Sequence, residues 1–239
     1  PDDDLTMSIS TERALEIVED LNTNFPNLER VDFAGGEVLY QKQFFPTLAK
    51  LAEHPNAENM LVMFHSNFNA DFNPETLSNL LRKFGKSIIM ISVDAGPRLY
   101  PYFRQGNWNK LKKNIAAFRA VNNKTEINAV CTTGTYQIME IKDVFTGLLT
   151  LDVDFINSSI VFTPDYLNPA LMLQHFKDQT LNDIEETRQC ISNFIGAKDT
   201  AKSSALDALI RIKEYIINHQ TEETHWDAFI VYIKKSDAI

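Results

Sequence analysis

Five short apolar runs divide the first two-thirds of the chain, and amphipathic stretches separate them. The runs are "ERVDFAGG" (29–36), "NMLVMFHSN" (59–67), "SIIMISVD" (87–94), "EINAVCTTG" (126–134) and "DFINSSIVF" (154–162). Near-continuous apolar runs of this length, closed by glycine or polar residues, read as strands covered on both faces. The spacers read as helices over 9–25, 43–54, 73–85, 108–123 and 138–151. Residues 9–25 carry Ala14, Leu15, Ile17, Val18 and Leu21 at helical spacing, with Thr11 and Glu12 behind "SIS" as the capping residues and Pro26 as the stop. In 43–54, Pro46 falls in the first turn; in 73–85, Asn73 caps, Pro74 opens and Gly85 stops. Strands alternating with single helices predict parallel βαβ units, hence an α/β sheet sandwiched by helices or curved into a barrel. A repeat that opens on a helix lacks its first strand, and the start at "PDDD" reads as a truncation or a boundary.

Beyond "VFTPDYLNPA" the character changes. Residues 169–195, 200–219 and 223–235 read as three amphipathic helices. "SSALDALIRIKEYIINH" sets Leu206, Leu209, Ile210, Ile212, Ile216 and Ile217 along one wide apolar stripe. The expected division is a barrel core over 1–165 and a helical C-terminal segment over 166–239. A chain of 239 residues with 44% hydrophobic content has ample core for this. No run of roughly 18 apolar residues predicts a membrane span. A net charge of −9 argues against nucleic acid; "RKFGK" (82–86) and "KLKK" (110–113) read as solvated helix faces. Two distant cysteines, Cys131 and Cys190, form no disulfide framework, and the expected setting is a reducing cytoplasm.

In parallel α/β folds, ligands bind at the carboxyl ends of the strands. Here these ends are Gly35, Gly36 and Glu37; Ser66 and Asn67; Ser92 and Asp94; Thr132 and Thr133; and Thr163 with Pro164. Ordinary turn chemistry also places polar residues there. Gly35-Gly36-Glu37 is the sharpest of them: glycines admit close backbone approach, and a carboxylate accepts from an ammonium group. Arg104 and Trp108 fit helix-start packing or an ion pair as well as a rim role. Cys131 reads as a small core residue. The histidines have no metal-ligand spacing, and "DDD" (2–4) reads as a solvated terminus. P-loop, dinucleotide and serine-elbow motifs are absent from the sequence.

The order of "VDFAGGEVLY", "HSNFNADF", "ISVDAGPRLYPYFRQGNWNKLKKNI" and "VFTPDYLNPALM" resembles the radical S-adenosylmethionine superfamily, in particular its members with a twitch C-terminal domain. The resemblance covers roughly residues 10–175, with an echo in "HWDAFIVYI". It implies a partial (β/α)6 barrel, TIM-like, here without its first strand. It places Gly35, Gly36 and Glu37 at the methionyl amino group of S-adenosylmethionine. Asn67 would match the family's Thr-Asn at the third strand end, with Ser66 in place of Thr; Ser92 and Asp94 would lie near ribose or carboxylate, Thr132 or Thr133 on the next strand end, and Val161 to Pro164 beside adenine. The implied reaction is generation of a 5′-deoxyadenosyl radical for hydrogen abstraction, on a peptide or protein substrate by analogy with related families. That reaction needs a 4Fe-4S cluster on a Cys-x3-Cys-x2-Cys loop, and this sequence lacks those ligands. The expectation is therefore a cluster held by an upstream segment. The alternatives are a cluster-less barrel module used for binding or assembly, and a cluster-independent S-adenosylmethionine or nucleotide binder.

Overall fold

A computed structural model describes residues 9–219 and 223–236. The elements in chain order are α1 (Thr11–Asn24), β1 (Arg30–Phe33), α2 (Phe44–Leu51), β2 (Leu61–Ser66), α3 (Pro74–Leu81), β3 (Lys86–Ser92), α4 (Tyr100–Arg104), α5 (Trp108–Val121), β4 (Glu126–Thr133), α6 (Thr135–Met139), α7 (Ile141–Leu149), β5 (Phe155–Ile160), α8 (Gln174–Ser192), α9 (Asp199–Ile217) and α10 (Glu223–Ser236). Single 3-10 turns lie at Val38–Tyr40, Ala57–Asn59, Asp165–Leu167 and Pro169–Leu171. The strands form one five-stranded parallel sheet in sequence order, β1-β2-β3-β4-β5. Registers run Arg30↔Leu61 to Phe33↔Phe64 and Asn128↔Phe155 to Thr133↔Ile160. Neighbours in sequence that pair in parallel need a crossover, and the helices supply it. The α/β sheet thus follows from the alternation in the sequence.

The chain forms two compact units. The first comprises Pro1–Met90 with Lys113–Glu126, and the second Ile91–Lys112 with Ile127–Ile239. In the first, Phe44 meets Phe33, Phe45 and Phe64 edge-on, with centroids 5.2–5.4 Å apart, beside the fully buried Leu48, Leu51, Met60 and Leu77. Burial of each such side chain is worth about 1.5–3 kcal/mol. Ser10 caps α1 by accepting the Arg13 N–H at 3.2 Å, and Asn73 caps α3 by accepting the Thr76 N–H at 3.0 Å. In the second unit α9 lies along β5, burying Ala201, Ala205, Ala208, Leu209, Ile212 and Ile216. The Ile156 N–H of β5 donates to Ser204 Oγ of α9 at 2.9 Å. Among the described residues no helix is long and apolar enough to cross a membrane.

Three expectations change. Strands β1 and β5 are not buried on both faces; they are the outer strands, and each exposes alternate residues. On β1 the exposed pair is Arg30 and Asp32, joined at 2.8 Å. The helix expected over 138–151 is two helices, broken at Glu140. Helix α3 ends at Leu81, four residues before Gly85, so Gly85 is not its stop. A side chain at Gly85 would stand 2.5 Å from the Glu58 carbonyl oxygen, which explains the glycine by close approach of two backbones. The acidic "DDD" lies outside the described residues.

Candidate functional site

Each unit carries one cluster of polar groups at its strand ends. In the first, β1 runs out through Ala34 into Gly35 at φ +96° and Gly36 at φ +59°. Left-handed backbone at two successive positions is open to glycine at little cost and to few other residues. Nothing lies within 4 Å of where a Gly35 side chain would stand, so there conformation, not crowding, demands the glycine. Gln41 Nε2 donates to the Gly35 carbonyl at 3.2 Å and fixes the turn.

Glu37 follows, half-buried, and caps the Val38–Tyr40 turn by accepting the Leu39 N–H at 3.2 Å. Its carboxylate also reaches the end of β2. Oε1 accepts from Ser66 Oγ at 2.6 Å, and Oε2 from the Asn67 N–H at 2.5 Å. A carboxylate offers about four acceptor sites; three are filled from within, which leaves capacity for about one further donor.

The chain leaves β2 through Phe68 at φ 55°, an uncommon conformation for a bulky residue. Ser66 Oγ accepts the Phe68 N–H at 2.8 Å, and Asn114 Nδ2 donates to the carbonyls of Phe68 and Ala70 at 2.8 and 2.9 Å. The Phe68 ring is fully buried against Phe72 and Phe118. Surrounding contacts thus hold a conformation that alone costs of order 1–3 kcal/mol.

The second cluster repeats this device at β3. Ser92 is half-buried, and Asp94 two residues on takes φ 53°. Asp94 Oδ1 accepts the Thr132 N–H at 2.6 Å, and Oδ2 pairs with Arg104, the last residue of α4. Its backbone carbonyl accepts from Gln137 Nε2 at 3.0 Å, while Gln137 Oε1 accepts the Gly134 N–H at 3.1 Å. One amide thereby fastens the end of β3 to the end of β4. Thr132 has an exposed side chain, and buried Thr133 shares a 2.6 Å hydroxyl contact with Ser158. Val161 is half-buried just past β5, its N–H donating to the Thr133 carbonyl at 3.0 Å.

Within the first unit the structure therefore joins Glu37, Ser66 and Asn67. Within the second it joins Asp94, Thr132 and, through Thr133, Val161. Asp94, read from the sequence as a ligand-facing group, carries one internal partner on each carboxylate oxygen. Arg104 takes the ion-pair role, and its Nε is buried without a partner among the described residues. Gln137 was missed, although its signal was present: a glutamine three residues after the helix-capping Gly134 reaches back to the cap N–H. Cys131 is buried in β4, where burial pushes its thiol up to about 12, so it stays protonated. Among the described residues no group of three His, Cys, Asp or Glu side chains is arranged to hold a metal ion.

No protein-family model matches the chain, and no curated protein matches it significantly. Solved structures do. Native anSMEcpe with bound AdoMet superposes with a TM-score of 0.56 at 14% identity, over 77% of this chain and 53% of that one. Native anSMEcpe with bound AdoMet and Cp18Cys peptide gives 0.54 at 15% identity, over 77% and 54%. Streptococcus suis SuiB bound to precursor peptide SuiA gives 0.51 at 12% identity, over 79% and 40%. At these identities the likeness is one of fold. The chain spans about half the length of the anSMEcpe structures and less of SuiB.

Proposed function

We propose that this chain is the S-adenosylmethionine-binding core of a radical S-adenosylmethionine protein acting on a peptide or protein. The observation that carries the reading is the Gly35–Gly36–Glu37 turn. It is left-handed at both glycines, open above Gly35, and ends in a carboxylate clamped to β2 with acceptor capacity left over. Such a turn suits a small ammonium group: the glycine backbone lets it approach, and Glu37 accepts a charge-assisted hydrogen bond from its N–H. Asn67 is fixed beside it through its own N–H. In the second cluster, Asp94 holds Thr132 and Arg104 in place. The partial (β/α)6 barrel over 1–165, with a helical segment over 166–239, is part of the same proposal. The fold it shares with AdoMet-bound anSMEcpe, and with SuiB bound to a precursor peptide, supports both the cofactor and the substrate class.

The iron–sulfur cluster does not fit the residues at hand. Cys131 is buried in a strand, and Cys190 lies on α8; two thiols cannot supply three thiolate ligands. The cluster that lets S-adenosylmethionine supply hydrogen-abstracting radical chemistry must take its thiolates from outside residues 1–239. The same cysteine inventory favours, as the second reading, a cluster-less module that binds or assembles. Two experiments decide. Calorimetry with S-adenosylmethionine should show binding that Glu37→Ala weakens at least tenfold; equal affinity removes Glu37 from the site. Expression with the codons upstream of Pro1, followed by anaerobic iron reconstitution, should yield 5′-deoxyadenosine. A reading frame without Cys-x3-Cys-x2-Cys selects the cluster-less module.

A further inference from the structure

Helix α10 differs from the helices beside it in how it is held. Helix α9 buries six side chains along its length. Among the described residues of α10, Phe229 alone is fully buried, at 1% exposure, while Val231 is 50% exposed. The helix lies on the turns Asp165–Leu167 and Pro169–Leu171, which follow β5. Its inward face is aromatic. Trp226 stacks on Phe176 at 4.6 Å, Phe229 meets the Tyr136 ring edge-on at 5.2 Å, and Tyr232 tilts against Tyr166 at 5.2 Å.

Phe229 and Trp226 close a recess walled by Thr135, Asp165, Tyr166, Asn168, Leu171 and Met172, leaving no space for a water molecule. Thr135, at 1% exposure, has a hydroxyl that finds no hydrogen-bond partner among the described residues. A buried hydroxyl is normally satisfied, so the wall that Phe229 and Trp226 supply leaves Thr135 wanting a polar partner. The recess also adjoins the second cluster: Thr135 and Tyr136 open α6, and the next residue, Gln137, holds Asp94.

We propose that α10 is a displaceable plug, and that the recess under it is a docking site for an aromatic residue of a peptide substrate, which must displace Phe229 to enter. A tyrosine, whose ring matches that of Phe229 and which adds a hydroxyl as a partner for Thr135, is the favoured residue. The proposal rests on the reading of the substrate as a peptide.

The test uses the full chain and two labelled 14-residue probes. One copies residues 223–236; the other carries alanine in place of Phe229. Fluorescence anisotropy should show the first binding a Phe229→Ala chain at least tenfold more tightly than wild type, and the alanine probe losing that gain. A tyrosine at that place in the probe should bind no more weakly than phenylalanine. Equal affinities across chains and probes overturn the proposal. Hydrogen exchange on the unmodified chain reads it without a variant: α10 amides should exchange at least tenfold faster than those of α9. Exchange as slow as in α9 overturns it equally. S-adenosylmethionine calorimetry on the same samples separates the two readings. Cofactor binding without probe binding sinks only the plug, and probe binding without cofactor binding sinks only the cofactor site.

Discussion

Glu37 acts first as a fastener between the two strand ends of its unit, and any ligand role is added to that. Glu37→Gln tests the balance. The amide keeps one acceptor oxygen but turns an N–H₂ toward a donor, Ser66 Oγ or the Asn67 N–H. A loss of about 1–3 kcal/mol is expected in urea unfolding, together with weaker cofactor binding. A variant as stable as wild type would show that the three bonds are dispensable. In the second unit, Asp94→Asn keeps an acceptor for the Thr132 N–H but leaves Arg104 without its counter-charge. About 1.5–3 kcal/mol should be lost, also read by urea unfolding. How legible was this in the sequence? Gly-Gly-Glu was, because only glycine pairs so readily with left-handed backbone. Phe68 was not: nothing in a phenylalanine announces φ 55°, which is imposed by Ser66 and Asn114, 46 residues apart from Phe68 in the latter case. Asp94 was legible as a strand-end carboxylate but not as a fastener within the fold, because its partners Arg104 and Thr132 come from other elements.

Elements were read more reliably than their surroundings. Every strand and every long helix lies in its predicted stretch to within one residue, β3, α9 and α10 each overrunning it by one, since periodicity and caps are local. Misreadings arose where distant packing decides, as at Gly85 and on the exposed face of β1. Helix α8 offers a case the sequence conceals. Lys177 is buried, and its Nζ donates to the His219 carbonyl just beyond α9 at 2.8 Å. Burial holds its ammonium below the ordinary lysine value. The unfolded chain therefore retains this proton over a pH range in which the folded chain has released it. Stability from this side chain climbs as pH rises through the folded value toward about 10.4, and the penalty is fully present below that window. Urea midpoints measured from pH 7 upward should lose this climb in Lys177→Met; an unchanged slope would assign it elsewhere. On α9, Leu209 is fully buried, and Leu209→Ala should cost about 2–5 kcal/mol in the same assay.

For the molecule as a whole, charge sets behaviour that fold does not. With a net charge of −9 and an isoelectric point near 5.1, solubility should be lowest close to pH 5, which light scattering across pH 4–8 can check. Mixing with duplex DNA at low salt should give no complex. The sheet adds a second consequence. Its two outer strands are not equally protected: Ser204 of α9 satisfies a backbone donor of β5, whereas among the described residues β1 pairs with β2 alone, and its exposed residues are Arg30 and Asp32. An unsealed hem of this kind recruits strands from neighbouring molecules, and charged side chains are the usual deterrent. Removing both charges should therefore make the chain self-associate in a concentration-dependent way, without any change inside its core.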